Sequence, residues 1–90
     1  MTFFTVVREE YQEGDLDGTS IFKKIYRTQA SAIQAAEANA LEVFNLLVDP
    51  NDGETHEFPG LQEVSANVFE YEISDGNGVV YTLTEMEIEK

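Results

Sequence analysis

The 90-residue chain has no cysteine, a single histidine and five basic side chains. Without cysteine there are no disulfides, no thiolate zinc sites and no cysteine nucleophile. One histidine, His56, leaves a transition-metal site short of nitrogen ligands. No run approaches ~18 apolar residues, so no membrane-spanning segment is expected. The opening MTFFTVVREEYQ lacks a basic start followed by a long apolar run. It does not resemble a secretory signal, and a cytoplasmic chain is expected.

The scarcity of bases is set against 18 acids, for a formal net charge of −13. A field of that sign repels phosphates and anionic lipid heads, which argues against direct nucleic-acid or membrane binding. It favours a basic partner, or simply a well-solvated surface. Four of the five bases (Arg8, Lys23, Lys24, Arg27) fall in the first third of the chain, so the charge is lopsided. With 42% hydrophobic and 11% aromatic residues, the composition is that of a folded chain. Its length fits a single domain over residues 1–90, with one modest core.

Helical periodicity is confined to Thr28–Val48, an alanine-rich stretch free of Gly and Pro. Thr28 is a suitable N-cap, and Asp49-Pro50 stops the helix because the residue before proline avoids the α region. Its expected apolar arc is Ile33, Ala36, Ala40, Leu41, Phe44, Leu47 and Val48, interrupted by Glu37. Alternation predicts strands at Thr2–Gln12, Ser20–Arg27, Val68–Ser74 and Val79–Glu89. Glu13–Ser20 is read as a connection and Asp49–Gly60 as a long polar loop, with Gln62–Asn67 extending it or opening the next strand. The sequence DGNG at 75–78 marks a tight hairpin turn. The expected fold is therefore α+β in ββαββ order. It is a two-layer sandwich with a four-stranded, mainly antiparallel sheet and one long helix on one face. A single helix covers one face only. Phe3/Phe4, Ile21/Phe22, Ile25/Tyr26 and Val79/Val80 place apolar groups on both faces, so the surface left open suggests a homodimer, unless loop 49–67 folds over it.

The chemical motifs are thin. Residues 13–18, EGDLDG, have the alternating acids and sixth-position glycine of a calcium loop. The first position is Glu13 rather than Asp and the twelfth is Lys24, so no metal site is expected. Asp49, Asp52, Glu54, His56 and Glu57 are ligand types in a loop without a metal-binding spacing. No G-x-S-x-G surrounds Ser20, Ser31, Ser65 or Ser74, and no glycine loop suits a phosphate. No catalytic residue and no cofactor is assigned. The remaining feature is the acidic strand surface: Glu70 and Glu72 on one strand, and Glu85, Glu87 and Glu89 on the last. Carboxylates two residues apart on a strand are ~6.5–7 Å apart, close to phosphate spacing along one strand. These five residues are the candidate partner-binding set. Two readings follow. One is a non-enzymatic interaction domain that self-associates through its sheet. The other is an acidic mimic of nucleic acid that inhibits a basic DNA- or RNA-binding protein.

Overall fold

The computed structural model describes residues 2–48, 51, 53 and 57–87. It is an α+β fold with one helix against one face of a sheet, as expected, but the sheet has five strands rather than four. The strands are β1 (Thr2–Gln12), β2 (Asp15–Ile21), β3 (Gln62–Ser65), β4 (Val68–Ser74) and β5 (Asn77–Glu87). They lie in the order β2-β1-β5-β4-β3, and every neighbouring pair is antiparallel. The fifth strand, β3, comes from the 62–67 stretch, and Asn67 at φ 62 turns the chain into β4.

The second strand is displaced from the expected Ser20–Arg27. Glu13 and Gly14 both have positive φ (53 and 85), the signature of a two-residue type I′ hairpin turn. Strand β2 therefore starts at Asp15. Past Ile21 the chain still follows the edge of β1, through Phe22 N–H to Val6 O (2.9 Å) and a reciprocal pair of bonds between Phe4 and Tyr26 (2.7 and 2.8 Å). Phe22 to Tyr26 thus spans what β1 covers from Val6 to Phe4. Lys23, Lys24 and Ile25 stand against the single residue Thr5, a surplus of two, and are exposed.

The helix α1 (Gln29–Leu47) matches its expected limits to within a residue. The Thr28 hydroxyl accepts the Ser31 N–H at 3.1 Å, the capping bond its type provides. Its buried stripe is narrower than the expected arc. Ala32, Ala36 and Ala40 are fully buried, spaced one turn apart. Leu41 and Leu47 are exposed, and Glu37 also faces solvent. Alanines bring the helix axis close to the sheet, leaving the larger side chains at the flanks.

The two-residue turn Asp75-Gly76 and a bulge between Glu72 and Ser74 together set the β4–β5 register, which the sequence left open. Phe69 lies opposite Tyr81 and Tyr71 opposite Val79. These four, with Val6 and Leu83, form the helix-facing core. From the long loop, Phe58 enters this same side, with ring centroids 5.6 Å from Phe44 and 5.5 Å from Tyr71.

Candidate interaction surfaces

The registers sort the open face into five cross-strand rows. At one end Phe3 pairs with Met86, then Thr5 with Thr84. The middle row is Ile21, Val7, Thr82 and Val68. Next come Thr19, Glu9, Val80 and Glu70, and finally Leu16, Tyr11, Gly78 and Glu72. Three rows are apolar or threonine, and the last two carry the carboxylates. Ile21 is 65% exposed and Met86 45%. Within the 49–67 stretch, Phe58 and Leu61 pack on the helix side, and Gln62–Ser65 form the edge strand β3.

Gly78 leaves a gap in the last row. A Cβ there would sit 2.7 Å from the Tyr71 carbonyl oxygen, so only glycine fits. The gap opens a shallow cleft of ≈ 390 Å³ between Tyr11, Val80, Glu70 and Glu72. The Tyr11 hydroxyl donates to Glu9 at 3.4 Å. Desolvation raises its pKa, and the negative charge of Glu9 raises it further. The two hairpin turns close the end of the cleft, with Gly14 N–H donating to Gly76 O at 2.7 Å and Glu13 N–H to the Asn77 side chain at 3.1 Å.

The acidic candidate residues do not share one surface. Glu70 and Glu72 are on the open face, whereas Glu85 and Glu87 follow Leu83 on the helix side of β5. Glu89 lies outside the described residues. The bulge between Glu72 and Ser74 puts the two sets on opposite faces, since a regular ladder from the Asp75-Gly76 turn would have put them on one.

On the helix side a polar network crosses the core. Tyr81 Oη–H donates to Asn39 Oδ1 at 2.7 Å, and Arg8 Nε–H donates to the same oxygen at 2.9 Å. Arg8 also pairs with Glu10. Burial pushes the Tyr81 phenol up, partly opposed by the hydrogen bond and charge of Arg8. Sequence reasoning missed this network. Asn39 is outside the expected apolar arc, and only the register shows Arg8 opposite Tyr81.

The calcium-like stretch is divided by the fold: Glu13 and Gly14 make the turn, while Asp15 and Asp17 belong to β2. Of the acidic loop, Asp49, Asp52, Glu54 and His56 lie outside the described residues, and Glu57 is exposed. Among the described residues no group of three or more His, Cys, Asp or Glu side chains could hold a metal ion. No described helix is long and apolar enough to cross a membrane. No protein-family profile, no curated protein and no solved structure matches the chain.

Proposed function

We propose that the chain is a non-enzymatic protein-interaction domain that pairs with a second copy of itself through the open sheet face. The observation carrying this reading is the uncovered apolar half of that face. With strands about 4.8 Å apart and rows about 6.8 Å apart, the apolar part covers roughly 260 Å² and the five rows together roughly 500 Å², a small interface beside the ~800 Å² per partner of a standard one. Five rows suit a two-fold axis running across the strands at the Val7–Thr82 row. The axis stacks that apolar row on itself. It sets the Thr5–Thr84 row over the partner's Glu9–Val80–Glu70 row, Met86 over the partner's Gly78 gap, and Phe3 over the partner's Tyr11. The carboxylates of the two copies then lie at opposite ends.

Light scattering at physiological salt tests this, with twice the 10.1 kDa chain mass expected. Ile21 and Thr84 are exposed, so substitutions there leave the core intact. Thr84→Glu with Ile21→Asp should give a monomer. Thr84→Lys should retain the dimer, because it meets the partner's acids. A wild-type monomer at high concentration would sink the proposal.

The nucleic-acid-mimic reading draws on the charge of −13. Over the 55 Å long axis, duplex DNA would carry about thirty charges, more than twice as many. With the acids split between faces, this reading has the weaker support. It predicts salt-sensitive binding to a basic protein, lost when Glu85, Glu87 and Glu89 become Gln.

A further inference from the structure

Bases are few in this chain, yet two of them, Lys23 and Lys24, line one groove. Arg8 is paired with Glu10, whereas Lys23, Lys24 and Arg27 form no ion pair among the described residues. The bulge after Phe22 directs the two lysines to the rim of a groove between the 22–26 segment and α1. Its volume is ≈ 460 Å³. Small residues, Ala35 and Ala38, form the helix side, and Tyr26 provides an aromatic surface with the Lys24 ammonium 5.9 Å from the ring centre.

Asn39 also lines this groove, and its amide orientation is fixed by the core. Two N–H or O–H donors, from Tyr81 and Arg8, converge on Oδ1. The nitrogen, Nδ2, has no acceptor among the described residues. Since no buried side-chain nitrogen or oxygen is left without a partner, Nδ2 reaches solvent. The groove thus combines one pre-oriented neutral donor, two ammonium groups and an apolar floor. Glu42 on the same lining offsets one lysine and leaves a local charge of about +1. That balance suits a monoanion better than a phosphate dianion.

We propose that this groove binds a carboxylate side chain, a Glu or Asp presented beside an apolar residue by a partner protein. Carboxylate against lysine and amide gives charge-assisted hydrogen bonds, and the neighbouring apolar group meets Ala35, Ala38 and Tyr26. The groove lies on the helix side, opposite the open sheet face, so it does not depend on self-association.

The probe is an acetylated peptide of Glu and Leu residues, titrated into the labelled full chain. The expected result is a saturable shift of the Asn39 side-chain amide resonances. The same peptide with Gln for Glu should leave them unmoved. Lys23→Gln with Lys24→Gln should weaken the Glu peptide about tenfold, the loss expected for about 1.4 kcal/mol of charge-assisted bonding. Both lysines are exposed, and unchanged melting of the variant shows that its fold is intact. An equal response from the variant or from the Gln peptide overturns the proposal. So does saturation by inorganic phosphate at lower concentration than the Glu peptide.

Discussion

Asn39 illustrates how one polar side chain fixes the packing of two elements. Its oxygen takes two hydrogen bonds from the sheet, one from the fully buried Tyr81. Replacing Asn39 with Ala leaves that hydroxyl without its acceptor, at an expected cost of about 1–3 kcal/mol. A lower urea midpoint at unchanged slope would register it. A change under ~0.5 kcal/mol would show that the network contributes little. The buried phenols also set an alkaline limit. Burial raises both Tyr81 and Tyr71 above the ordinary 10.0. The unfolded chain therefore loses these protons first. Their stabilisation is present below pH 10.0 and is lost as pH climbs through the raised values. The melting temperature should fall above that point, and less steeply in Tyr81→Phe. Little of this was legible in the sequence, where Tyr81 looked like an ordinary strand residue and its exposure depended on register.

The helix and the last hairpin were legible, because each signal was local. Thr28 and Pro50 bracket α1, and DG sets the turn. The helix-facing stripe was only half legible, since Leu41 fits the periodicity but lies beyond the sheet's reach. Strand β2 was misplaced because Glu-Gly, not Asn-Gly, occupies the I′ turn, and the KKI bulge then imitates strand alternation. Strand β3 was ambiguous because QEVS is exposed throughout, with no buried face to show a period. The two turns permit a sharp comparison. Gly14 and Gly76 both have positive φ, so Ala strains either position by roughly 1–2 kcal/mol. Only at Gly76 would the new Cβ also meet backbone, 2.9 Å from Gly14 N. Gly76→Ala should therefore destabilise clearly more than Gly14→Ala in urea unfolding. Equal losses would show that the tip-to-tip contact yields freely.

At the scale of the molecule, charge and shape act together. The radius of gyration is 14.5 Å, against ~12 Å for a typical chain of this length. The elongation comes from the long β1–β5 pair, which outruns its flanking strands. With a net charge of −13, the acids repel one another along that axis. At ~0.01 M salt the screening length is about 30 Å, and at ~0.15 M about 8 Å. Melting should therefore shift upward on this addition of salt, by about 4–8 °C for each kcal/mol of repulsion relieved. A flat response would mean that the acids are already too well solvated to interact. The open face was legible from one helix facing a sheet with apolar residues on both sides. The split of the acids between faces was not.

The β1–β5 pairing joins Thr2 to Glu87, partners at nearly opposite ends of the described chain. The centre of the sheet is thus a long-range contact, while the hairpins and helix beside it are local. During synthesis the first hairpin and α1 emerge with their central neighbour still missing. The core cannot close until β5 has left the ribosome. Folding should accordingly be slow for so small a chain, on the order of milliseconds to seconds. Until then the unpaired edge of β1 and the alanine stripe of α1 stay open to chaperones.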